Sequence, residues 1–243
     1  MDMKRYVNAV FALLVSAIAA LPSLAAEGVL IFGATRNTGL EIAKILVARG
    51  EPVTAFVRPT SNLENLEALD VTYFVGDAMN VDDVERAILS KDFKAVISTL
   101  GGGRGERPPD VVGTINMVDA MTKSNTKRFL VVTIIGPGKS ISMVPRQQRV
   151  SLGRVIELKA EAENYIMASD LDYTIIRPGQ LTSNPRSGII RMDVEPSPTG
   201  PITRADLADM VVGAYDDDST IRMVYQAIGD DPLATVRMDQ QPE

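Results

Sequence analysis

Histidine and cysteine are both absent from the 243 residues, which excludes an imidazole base, a thiol nucleophile, disulfides and the usual zinc ligands together. Chemistry must then rest on hydroxyls, lysine, carboxylates or a bound cofactor. The residues best spaced to hold a cofactor are Gly33-Ala34-Thr35-Arg36-Asn37-Thr38-Gly39. A glycine-bounded turn that opens a helix presents free N–H groups and the positive end of the helix dipole, which suits a pyrophosphate. Read as G-x-x-G-x-x-G, the turn has Arg36 at the middle glycine; read as G-x-x-x-G-x-G, it has Asn37 there. Asparagine tolerates a left-handed backbone better than most residues, so the second reading strains the turn less. A further test lies after the second strand, where folds that select NAD place an acid and folds that accept a 2′-phosphate place an arginine. Val53–Val57 contains no acid and runs into Arg58, with Arg36 in the adjoining turn. The competing reading makes both arginines solvated surface residues. Asp216-Asp217-Asp218 lacks metal-ligand spacing and reads as a solvated turn, so no metal site is expected.

These residues need elements to position them. Val29–Phe32 is a continuous apolar run, the pattern of a strand covered on both faces. Leu40, Ala43, Leu46 and Val47 follow at helical spacing, with Gly50 as the stop. Further strands are expected at Val53–Val57, Val71–Val75, Ala95–Leu100, Phe129–Ile135, Tyr173–Ile176 and Met223–Ile228, with amphipathic segments between them. This alternation predicts an α/β fold with a doubly wound parallel sheet, Rossmann-like, in a single domain over residues 27–243. The polar stretch Gly136–Val150, with Lys139, Arg146 and Arg149, is expected to be a lid loop. A long helix is expected from Ser151. The proline-, serine- and glycine-rich stretch Leu181–Ile202 reads as loops rather than sheet, a small C-terminal elaboration on the substrate side.

The formal charge of −6 and the absence of a long basic run argue against nucleic acid as a partner and favour a small-molecule substrate. Lys4 and Arg5 precede an apolar stretch from Val7 to Leu21, followed by Pro22, Ser23 and a small-residue ending at Ala26. Residues 1–26 therefore resemble a secretory signal, with a retained anchor as the alternative, although the run is short for a stable span. A real signal would export the chain to the periplasm or medium, with no membrane contact after its removal. A misassigned start would leave the domain cytoplasmic.

GATRNTG after the first strand, FVRP after the second, VGDAMN after the third, STLGG after the fourth, LKAEAENYIMASDLDYTIIRPGQL and TRADLADMVV together resemble the atypical short-chain dehydrogenase/reductase family, in its NmrA-like and biliverdin reductase B-like branches. The resemblance implies NADP(H) more than NAD(H), with hydride transfer to a small carbonyl, enone, quinone or flavin-like acceptor. The alternative it implies is a non-catalytic dinucleotide-binding sensor or interaction protein. It places Gly33, Thr35, Arg36, Asn37, Thr38 and Gly39 at the pyrophosphate, Arg58 at the 2′-phosphate and Asp77 with Ala78 at the adenine edge. Thr99, Leu100 and Gly101 would border the nicotinamide ribose. Catalytic members carry a Ser or Thr after the fifth strand and a Tyr four residues before a Lys; Thr133 and Lys159 match two of these, and Val155 stands where the tyrosine belongs. Valine donates no proton, so the resemblance leaves the acid unassigned and gives Lys159 to the nicotinamide ribose as a cofactor-binding residue. Tyr165 and Tyr173 are the other tyrosines considered as donors, Tyr173 sitting in an apolar strand. Lys159 has a plainer reading as a surface lysine paired with Glu163 one turn on.

Overall fold

The computed structural model describes residues 26–101, 108–194, 196 and 200–229. The leader-like stretch therefore lies almost wholly outside the described residues, as does most of the glycine-rich turn after Gly101. Strands β1 (Val29–Phe32), β2 (Val53–Val57), β3 (Val71–Val75), β4 (Ala95–Ser98), β5 (Arg128–Val132), β6 (Asp172–Pro178) and β10 (Met223–Gly229) are all parallel, and β8 (Ile190–Asp193) adds an antiparallel edge. The order is β3-β2-β1-β4-β5-β6-β10-β8. Chain direction around the sheet reverses between β1 and β4, which is where a doubly wound sheet opens its ligand crevice, beyond the carboxyl ends of the strands.

The core follows from the buried strand pattern. Every residue of β1, β2, β4 and β5 is buried, as expected where helices cover both faces. Alternate residues divide between the faces. Val29 and Ile31 pack with Leu40, Ala43 and Leu46 of helix α1 (Asn37–Ala48) and with Leu207 and Val211 of a helix spanning Arg204–Tyr215. Leu30 and Phe32 pack on the other face with Val84, Met117 and Ile166. These three come from helices over Val81–Ile88, Pro109–Thr122 and Arg146–Met167. With the short helix Glu64–Glu67 counted as α2, the five later helices are α2 to α6 in chain order. Phe32, Phe56 and Phe74 extend the second cluster as a stacked series across three strands, with centroids 4.4 and 6.0 Å apart.

Two expected boundaries move. Helix α5 starts at Arg146 rather than Ser151, preceded by a short 3₁₀ turn over Gly138–Met143. Its first turns are exposed on every side, so they carry no apolar period, while Pro145 sets the backbone just before the helix. The segment before it, read from the sequence as a lid loop, is held by its own contacts. Ser140 Oγ accepts from Gly136 N and donates to Pro137 O, and Ile135, Val144 and Ile156 form a separate apolar cluster. The Leu181–Ile202 stretch also contains strand. Leu181–Thr182 (β7) pairs in parallel with Ile202–Thr203 (β9), and β8 pairs with β10. Their brevity and exposure hid them from a periodicity argument.

Candidate dinucleotide site

The turn after β1 is built by close approach. A methyl group on Gly39 would sit 2.2 Å from Gly33 O and 2.6 Å from Thr99 Oγ1, and one on Gly33 would meet the same hydroxyl at 2.6 Å. Gly33 also has φ 91°. Asn37 holds φ 56°, the left-handed conformation for which asparagine is suited, in the place where the second glycine pattern puts its middle residue. Thr99 closes the cradle from β4, its N–H donating to Phe32 O at 3.0 Å and its hydroxyl lying 3.3 Å from Gly33 O. The N-terminus of α1 has no side-chain cap and no acid in its first turn, so its N–H groups are available to an anion. Thr38 is buried beneath it, Thr35 is half-buried, and Arg36 and Asn37 are exposed.

Arg58 stands exposed at the end of β2. Its N–H donates to Ser61 Oγ, and its guanidinium carries no carboxylate partner among the described residues. At the end of β3, Asp77 turns the chain by accepting from Met79 N at 2.9 Å, while its own N–H donates to Asp83 Oδ2. Ala78 is buried, and Asn116 of α4 holds its carbonyl at 2.9 Å. Thr99, Leu100 and Gly101 follow β4, so the three stretches assigned to cofactor lie at adjacent carboxyl ends.

The residues assigned to catalysis sit differently from the surface picture. Lys159 is 7% exposed and does not meet Glu163: its Nζ lies 2.7 Å from Asp110 Oδ2 and donates to Leu100 O at 3.3 Å. Glu163, 1% exposed, accepts instead from Arg177 Nη2 at 2.6 Å and Nε at 3.2 Å, and from Thr133 Oγ1 at 2.6 Å. Ile156, Lys159, Ala162, Glu163 and Ile166 share the inward stripe of α5. Two charges thus occupy places in a 3.6-residue pattern normally filled by apolar side chains. Val155 lies one turn before Lys159 and is 41% exposed. Neither alternative tyrosine replaces it. Tyr165 donates to Asp119 Oδ1 at 2.7 Å on the outer side of α5, a bond that holds its hydroxyl proton more tightly than usual, and Tyr173 packs in the core.

The sequence reading missed Asp110, Asn116 and Arg177. The signal available for the first two was a carboxylate just before, and an amide within, the largely apolar run Val111–Val118 of α4. Asp110 Oδ1 is buried without a hydrogen-bond partner. An orphaned carboxylate oxygen beside Leu100, the uncapped helix start and the glycine cradle together fit a dinucleotide. When bound, such a cofactor supplies hydride chemistry; the chain supplies binding, orientation and the handling of protons.

A sequence model of NAD(P)H-binding proteins matches residues 33–218, and the chain belongs to that family. The solved structure of ChuY, an anaerobilin reductase from Escherichia coli O157:H7, is 26% identical with a TM-score of 0.75, over 84% of this chain and 98% of that one. An uncharacterised chloroplastic protein of Arabidopsis thaliana is 30% identical over 211 residues, 81% of this chain and 75% of its own length. A phenylcoumaran benzylic ether reductase of Ginkgo biloba is 26% identical over 214 residues, 79% of this chain and 66% of its own. The fold is Rossmann-like, of the atypical short-chain kind, as the motifs led one to expect.

Proposed function

We propose that the protein is an NADP(H)-dependent oxidoreductase that transfers hydride to a small carbonyl, enone, quinone or flavin-like acceptor. The observation that carries the NADP preference is Arg58, exposed at the end of β2 with no carboxylate partner among the described residues and no acid in the strand before it. A guanidinium there suits a 2′-phosphate, while the ribose hydroxyl of NAD finds no acceptor. The reductases among the similar proteins support the reaction class. Titration of the purified domain from Glu27 onward should show tighter binding of NADPH than NADH. Arg58→Ala should lower NADPH affinity roughly tenfold or more, the value of a charge-assisted hydrogen bond, and leave NADH nearly unchanged. Equal loss for both nucleotides would overturn the assignment.

A second reading is a dinucleotide-binding sensor without turnover. It is favoured by Val155 in the tyrosine position and by the engagement of Lys159 with Asp110. Tight NADPH binding with no oxidation across a panel of quinones, enones and N–H-bearing imides would decide for it. Export belongs to the same proposal, resting on the leader-like residues 1–26. The mature chain should then begin at Glu27, which N-terminal sequencing of the native protein reads directly.

A further inference from the structure

Thr133 has one hydroxyl proton and two lone pairs to share. It follows β5 directly at the carboxyl edge of the sheet, half-buried, one strand from the Thr99–Gly101 stretch, and its backbone N–H is already given to Ile176 O. Its hydroxyl oxygen lies 2.6 Å from Glu163 Oε1. Glu163 is the buried partner of Arg177, which donates to both carboxylate oxygens. A carboxylate in such an ion pair offers acceptors only. The proton between Thr133 and Glu163 therefore belongs to Thr133 and points at α5, which leaves the lone pairs of the hydroxyl for any other partner.

We propose that Glu163 and Arg177 make Thr133 an obligate hydrogen-bond acceptor, so that the substrate group meeting it is an N–H or O–H donor. Building on the reductase reading above, this narrows the acceptor to compounds that carry a donor, such as an imide or lactam N–H, beside the reducible double bond. A simple ketone or quinone presents only lone pairs there and meets repulsion. Thr133 is then a specificity determinant and not the proton donor that replaces the missing tyrosine. Glu163 and Arg177 are positioning residues, acting through the direction in which they hold one proton.

Maleimide and N-methylmaleimide test this, because a methyl group replaces the N–H donor in the second, the near-isosteric Thr133→Val separates the loss of the donor from the bulk of the methyl, and the chain has no cysteine for them to alkylate. Maleimide would take a hydride from NADPH and a proton from water to give succinimide and NADP⁺. The wild type should favour maleimide in kcat/KM by roughly tenfold, the value of one good hydrogen bond. Thr133→Val should bring that ratio to about one by losing rate on maleimide only, and Thr133→Ser should keep it. Glu163→Gln turns an amide N–H toward Thr133 and frees the hydroxyl proton, so the preference should vanish or reverse. Saturation-transfer NMR with succinimide and N-methylsuccinimide reads the same discrimination without turnover, with or without nucleotide. A fluorescence titration with NADPH alone tests the reductase reading separately. Failure of NADPH to bind counts against that reading. Equal response to the two imides in both assays, or a Thr133→Val variant that loses both probes alike, overturns the proposal.

Discussion

Asp110 and Lys159 show how much depends on single side chains. Both are under a tenth exposed and 2.7 Å apart, and one carboxylate oxygen has no partner. Taking two charges from water costs several kcal/mol, and their attraction offsets this only while both are present. Lys159→Met alone should therefore cost about 3–5 kcal/mol, since it leaves Asp110 buried and unpaired. The double variant Asp110→Leu with Lys159→Met should recover most of that loss. Urea midpoints of the two singles and the double measure the coupling, and additivity would show that the pair is not interacting. The orphaned oxygen carries a second expectation, that NADPH binding falls further in Asp110→Asn than the loss of folded protein accounts for.

At the level of elements, the start of α6 acts as a clasp. Asp206 is 1% exposed and accepts from Ser187 N, Ser187 Oγ, Gly188 N and Thr203 Oγ1, so one carboxylate ties the 183–188 segment to the helix. Burial pushes its pKa up, but these hydrogen bonds outweigh burial and hold it below the ordinary value of 3.8. A depressed carboxylate contributes stability that is fully present above the unfolded value and is lost as pH falls through the folded one. The protection factors of the Ser187 and Gly188 amides should accordingly stay high from neutral pH down to about 4 and fall below it. Asp206→Asn should exchange faster at neutral pH already, and a mutant with unchanged protection would refute the clasp. The same segment lines, with Asn37, Glu41 and Arg204, an open cleft of 510 Å³ beside the start of α1, so loosening it should be felt near the glycine turn.

Across the whole molecule, Arg128 joins the sheet to the last helix. Its guanidinium donates to Asp172 O, Thr174 Oγ1, Ala214 O and Thr220 Oγ1, and burial lowers its pKa. No carboxylate touches it among the described residues; carbonyls and hydroxyls spread its charge instead. Arg128→Met should cost about 3 kcal/mol or more, because the buried carbonyls it satisfied lose their donor. Arg128→Lys should recover only part, since a single ammonium cannot reach four acceptors in a planar fork. Chemical denaturation followed by circular dichroism would register both, and an unchanged midpoint in Arg128→Met would remove Arg128 as a tie.

Much of this architecture was legible in local pattern. Continuous apolar runs between amphipathic segments determined a parallel doubly wound sheet, because a strand buried on both faces has no polar side to show. Gly33, Asn37 and Gly39 marked the turn, because few residues fit a left-handed backbone or a 2.2 Å approach to a carbonyl. What only the tertiary structure decided was where charged side chains spend their hydrogen bonds. Lys159 and Glu163 stand four residues apart on one helix and look like partners, yet each is claimed from a different element, by Asp110 and by Arg177. Such choices depend on distances across the fold, to which residue spacing within one helix is blind. The start of α5 and the short strands after β6 were hidden for a related reason. Their order comes from Pro145, Ser140 and pairing with β10 rather than from any periodicity of their own.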